Sequence, residues 1–91
     1  MKRELIMIIE DVFHIIGRGV IAVGQIQIEK IEVGQKVIVD PEFLPEFETE
    51  IKGIEAFQKI LKIAKKNDYV GLQLSGVEKN KVKKKMKIYT I

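Results

Sequence analysis

Val20-Ile21-Ala22-Val23-Gly24-Gln25-Ile26-Gln27-Ile28 alternates with a period of two, with Ile26 and Ile28 opposed to Gln25 and Gln27. Successive side chains of a strand point to opposite faces, so this is a strand with one wet face. Gly24 inside it predicts a bulge or the close approach of another backbone. Upstream, Leu5 to Ile16 is rich in Ile, Val and Phe and stops at Gly17-Arg18-Gly19, which reads as a strand and a turn. Downstream, Glu29-Lys30 is a turn candidate, and Lys36 to Val39 is a short strand closed by Asp40-Pro41. Pro41 and Pro45 confine residues 40–46 to a loop, because neither can donate to a ladder. Phe47 to Ile54 alternates again with Gly53 interrupting, and Tyr69 to Leu74 alternates between the turn candidates Asn67-Asp68 and Ser75-Gly76. Met86 to Ile91 returns to strand character. Strands spaced about 8 to 12 residues apart with glycine punctuation describe an antiparallel barrel or sandwich.

Residues 55–66 pull the other way. Ile54, Phe57, Ile60, Leu61 and Ala64 fall at helical spacing with Glu55, Lys59, Lys62, Lys65 and Lys66 elsewhere on the wheel, the pattern of an amphipathic helix. The same stretch alternates locally, so a strand is also admissible.

The chain has 91 residues, 46% of them hydrophobic and 32% charged, which predicts one small globular domain over residues 1–91. There is no Cys, hence no disulfide framework, thiolate nucleophile or Cys-based zinc site, as suits a reducing compartment. The apolar run Leu5 to Ile9 is too short for a signal-peptide core, and no stretch approaches 18 apolar residues. The reading is therefore cytoplasmic, with no membrane partner. The net charge of +3 hides an asymmetry: residues 1–57 hold 6 Lys and Arg against 11 Asp and Glu, whereas residues 58–91 hold 10 against 2. A basic patch open to a polyanion is one reading; lysines gathered on solvated faces is the other.

No enzyme signature appears. GxxxxGK[ST], GxGxxG, HExxH and GxSxG are all absent, and no cofactor is expected. Gly17-Arg18-Gly19 has no helix to offer a phosphate and reads as a turn. His14 is the single histidine and cannot assemble an ordinary zinc site. Adjacent Glu10 and Asp11 point to opposite faces of a strand and make no paired acid and base. Two constellations suit binding. Lys79, Lys81, Lys83, Lys84, Lys85 and Lys87 could neutralise phosphates, or form a solvated hairpin that protects a sheet edge. The aromatics Phe13, Phe43, Phe47, Phe57, Tyr69 and Tyr89 read first as core and only second as stacking platforms.

Several motifs are recognisable together: Glu10-Asp11-Val12-Phe13; Gly17-Arg18-Gly19 with Gly24; Ile31-Glu32-Val33-Gly34-Gln35-Lys36-Val37; Lys52-Gly53-Ile54-Glu55-Ala56-Phe57; and Asp68-Tyr69-Val70-Gly71-Leu72 with Ser75-Gly76-Val77. In this order and spacing, over about residues 6 to 88, the chain resembles domain 2 of elongation factor Tu. The resemblance implies an all-β fold, a closed antiparallel Greek-key β-barrel of about six strands, with residues 55–66 as strand and turn rather than helix. It implies a translation-related module without the GTP-binding domain, and so without an enzyme's activity. It also assigns site residues: Glu55 matches the glutamate that meets the terminal adenine of tRNA, and Asp11 and Phe13 match residues of the amino-acid pocket. Val23, Gln58, Tyr69 and Ser75 depart from the family's usual Thr, Arg, Asn and Arg, and Tyr69 is expected to fill the pocket. Lys85 stands where the family has Gly in its last turn, and Asn67 replaces another Gly.

Three functions compete. The first is contact with tRNA or ribosomal RNA through the lysine face, drawing on Glu55, Asp11 and Phe13 for a 3′ end. The second is a protein partner, such as a GTPase encoded elsewhere, met by Glu42, Glu46, Glu48 and Glu50. The third, a small-ligand binder or enzyme, lacks both an activated nucleophile and a metal set.

Overall fold

The computed structural model describes residues 2–91, and among these there is no helix. Ten strands follow in order: β1 (Leu5–Ile8), β2 (Asp11–Ile15), β3 (Gly19–Gln25), β4 (Lys30–Glu32), β5 (Lys36–Asp40), β6 (Phe47–Ala56), β7 (Lys59–Leu61), β8 (Ile63–Lys65), β9 (Tyr69–Leu74) and β10 (Lys87–Thr90). Eight form one antiparallel sheet in the order β1-β10-β5-β6-β9-β3-β2, with β7 on β6; β4 and β8 form a separate ribbon. The radius of gyration is 11.7 Å, close to the roughly 12 Å expected of a folded chain this long.

The alternation read from the sequence decides which face turns inward. In β9 Val70, Leu72 and Leu74 are buried, as are Val37 and Val39 of β5, whereas β3 buries Val20, Ile21 and Ala22 in succession and ends at Gln25, short of the alternation expected through Ile28. In β6 both Ile51 and Ile54 are buried, three residues apart rather than two, because the register with β9 shifts between Ile51 and Gly53. This bulge bends β6, so its first half pairs with β5 and its second with β9 and β7. Gly24 is the expected close approach: a Cβ there would lie 2.7 Å from the Ile8 carbonyl oxygen and 2.8 Å from Met7 Cγ. Just past β3, Gln27 N donates to Ile6 O at 2.8 Å, bringing that segment against β1.

Several expectations are corrected. Leu5–Ile16 is two strands, because the chain turns at Ile9-Glu10: Ile9 N donates to Met86 O, and Glu10 N to Val23 O, each at 2.8 Å. This corner and the short strands β4, β7 and β8 bring the count from the roughly six expected to ten. The helical periodicity over 55–66 is overridden by pairing, with β7 on β6 and β8 on β4. The core is wholly aliphatic, of Ile, Val, Leu, Ala and Met; Phe13, Phe43, Phe57 and Tyr69 are exposed, and Phe47 and Tyr89 half-buried. The lysine run is a loop rather than a hairpin, with no strand between Ser75 and Met86.

Candidate functional site

Register places the site. Across the sheet, Asp11 of β2 opposes Val23 of β3, Val23 opposes Gly71 of β9, Gly71 opposes Glu55 of β6, and Glu55 opposes Ile60 of β7. Directly opposed residues share a face, so this row lies on one side of the sheet. Phe13 and Ile21, the next pair along, face the same way. Gly71 makes the row concave: a Cβ there would come within 2.9 Å of Ile21 Cγ2. The result is a groove of about 240 Å³ over Gly71, walled by Phe13, Ile21 and Val23 toward one edge and by Glu55, Phe57 and Gln58 toward the other.

The Phe57 wall is built at a backbone cost. Ala56 pairs with Lys59, leaving Phe57 and Gln58 as a two-residue hairpin turn, with φ of 50° and 65°. Positive φ at both central positions is the type I′ arrangement, which strongly favours Asn-Gly. Bulky residues there are strained. Phe57 is nonetheless 92% exposed, so core packing does not repay the strain.

Glu55 is ion-paired with Arg18. Arg18 sits in the turn between β2 and β3, flanked by Gly17 and Gly19 at φ of 86° and 89°. Its N donates to Ile15 O at 2.9 Å, and its carbonyl accepts from Gln73 Nε2 at 2.7 Å, which holds the turn over the β9 side of the sheet. The sequence reading took Gly17-Arg18-Gly19 as a turn and missed the cation it delivers. No local signal marks it, because the meeting depends on β9 lying between β3 and β6. Asp11 Oδ1 accepts from Val12 N at 2.9 Å, and Asp11 lies in the Glu55 row but outside the groove wall.

Of the positions that depart from the resembled pattern, Val23 and Gln58 line the groove, whereas Tyr69 and Ser75 do not. Tyr69 therefore does not fill it. Its hydroxyl donates to Glu10 Oε1 at 2.9 Å, and that bond, with some desolvation and the nearby Glu10 and Asp11 charges, holds the phenol pKa above its ordinary value.

The six lysines lie elsewhere, on and just beyond the loop 75–86 that follows β9. Buried Val82 anchors this loop with the partly buried Val77 and Met86, and Lys85 N donates to Ile9 O at 2.7 Å. Lys79, Lys81, Lys83, Lys84, Lys85 and Lys87 are exposed, and among the described residues none is in an ion pair. Lys81 and Lys83 line a second groove, of about 710 Å³, between this loop and residues 41–48; the other four do not. The two grooves share no lining residue. The fold thus brings Phe13 and Glu55 together, with Asp11 in the same row, and places none of the six lysines in the groove lining.

Among the described residues no three His, Cys, Asp or Glu side chains cluster to hold a metal, and no helix is long and apolar enough to cross a membrane. Compared with models of known protein families, the chain matches none.

Proposed function

We propose that this protein is a non-catalytic RNA-binding module of translation. In this reading its sheet closes into a Greek-key barrel like domain 2 of elongation factor Tu, and tRNA or ribosomal RNA is its ligand. An unpaired base stacks on Phe57 and Phe13 over Gly71, Glu55 and Arg18 present an acceptor and a donor to its edge, and the lysine loop neutralises backbone phosphates. The observation that carries the reading is Phe57, an exposed aromatic held at positive φ beside Glu55. Strain at a position that packs against nothing points to a use outside the fold. The hydrogen bond from Gln27 N to Ile6 O supports barrel closure, since it joins the segment after β3 to the far end of the sheet path.

The test is a fluorescence anisotropy titration with aminoacylated and deacylated tRNA at low and moderate salt. Binding should fall steeply with salt, and Phe57→Ala should weaken it about 5- to 150-fold, the loss of one stacked base. Equal affinity of the Phe57→Ala variant sinks the groove assignment, and equal affinity of Lys79→Glu/Lys84→Glu/Lys85→Glu sinks the lysine assignment.

A second reading, a protein-docking module for a separate GTPase, is favoured by Ile16 and Ile60. They are 95% and 86% exposed; Ile60 opposes Glu55 of the groove, and Ile16 follows Ile15 of its lining. Such a complex would hold at salt concentrations that strip RNA.

A further inference from the structure

The groove between the loop 41–46 and the loop 75–86 plays no part in the RNA-end site. Its floor is apolar, with Phe47, Val77 and Met86 packed against the core. Phe43 and Leu44, 88% and 66% exposed, form part of its rim. These two side chains are presented by a constrained backbone. Phe43 N donates to Pro41 O at 2.8 Å across Glu42, whose φ is 72°, and Glu42 N donates to Asp40 Oδ1 at 2.8 Å. A two-residue hydrogen bond closed at positive φ is the rare, strained form of the γ-turn. Two prolines and two hydrogen bonds therefore hold an apolar knob on the rim of the groove itself, pre-organised rather than loose.

The groove carries charge of both signs. Glu48 and Glu78 line it with Lys81 and Lys83, and among the described residues none of the four is in an ion pair; Glu46, also in the lining, is held by Arg3. A surface that holds a knob, a hole, free acids and free bases on one face meets the requirement of a two-fold contact, in which the same patch serves both partners.

We propose that this face is a homodimer interface. Phe43 and Leu44 of one copy enter the groove of a second copy of this chain, and Lys81 and Lys83 of each meet Glu48 and Glu78 of the other. Covering about a tenth of the 6201 Å² surface on each copy reaches the lower edge of standard interface size, roughly 1,200 Å² in total. The four lysines outside the groove remain free for RNA, so the dimer and the RNA reading stand or fall separately.

The experiment is sedimentation velocity on the full chain over a micromolar-to-millimolar series. The wild type should pass from monomer to dimer, and Leu44→Glu, with Phe43→Ser as an independent second variant, should weaken association at least about tenfold with an unchanged Tm. The charge-reversed pairs Glu48→Lys/Glu78→Lys and Lys81→Glu/Lys83→Glu should each be monomeric alone and should form a dimer when mixed. A wild type that stays monomeric throughout, a dimer that survives both Leu44→Glu and Phe43→Ser, or a mixture that does not re-associate overturns the proposal. A monomer that instead binds an amphipathic peptide in this groove overturns it as well.

Discussion

Lys85 adopts a φ of 77°, in the region where an L side chain crowds the following carbonyl, and its N–H is tied to Ile9 O. The backbone there is fixed by tertiary contact, so the conformation persists at the residue's expense. Glycine relieves about 1–2 kcal/mol of that strain and returns part of it as extra freedom of the unfolded chain. Lys85→Gly should therefore stabilise by about 0.5 kcal/mol, a rise of roughly 2–4 °C in Tm by thermal denaturation. If the loop meets phosphates, the slope of log affinity against log salt should also shrink by about one. Asn67, at φ of 77°, is the tolerated counterpart, since its short amide suits the left-handed region. Tyr69 makes a different point. Its hydrogen bond to Glu10 raises the phenol pKa, so the folded state holds the proton more tightly than the unfolded one. The stabilisation is complete below the unfolded value of about 10 and is lost as pH rises through the folded value. The stability gap between wild type and Tyr69→Phe, measured by urea unfolding, should be present near neutral pH and close above about pH 10.

Among the elements, the β6–β7 hairpin separates stability from use. Replacing Phe57-Gln58 by Asn-Gly supplies the residues a type I′ turn favours and should raise stability by about 1 kcal/mol, read as an increased denaturation midpoint. The same double variant removes the aromatic wall of the groove and should weaken RNA binding as much as Phe57→Ala does. A gain in both properties would contradict the idea that the strain serves binding. This hairpin also explains the misleading helical pattern. Of the stripe Ile54, Phe57, Ile60, Leu61 and Ala64, only Ile54 and Ala64 are fully buried, with Leu61 packed against them, while Phe57 and Ile60 stand in solvent. Three core residues and two surface residues happened to fall at helical spacing. Alternation over Tyr69–Leu74 was the sounder guide, because β9 is central and paired on both sides; the strand expected over Val20–Ile28 ends at Gln25, with Ile26 and Ile28 beyond it.

For the molecule as a whole, an aliphatic core and an aromatic surface are the organising contrast. Ile88 of β10 is fully buried between β1 and β5, and Ile88→Ala should cost about 2–5 kcal/mol by denaturant unfolding, a large share of a small domain's stability. Charge is redistributed by folding as well. The acidic stretch around Glu46 and Glu48 and the basic loop with Lys81 and Lys83 are far apart in sequence and line the same groove. Strand character over Lys36–Val39, Phe47–Ile54 and Tyr69–Leu74, the Pro41–Pro45 loop and the Asn67 and Gly17–Gly19 turns were legible in the chain itself, because alternation, proline and left-handed residues act locally. Four features were not: the break at Ile9-Glu10, the exposure of every aromatic but Phe47 and Tyr89, the meeting of Arg18 with Glu55, and the knob and hole at Phe43 and Met86. Each depends on which strands become neighbours, and pairing between residues distant in sequence is settled by the packing of the whole core rather than by any local preference.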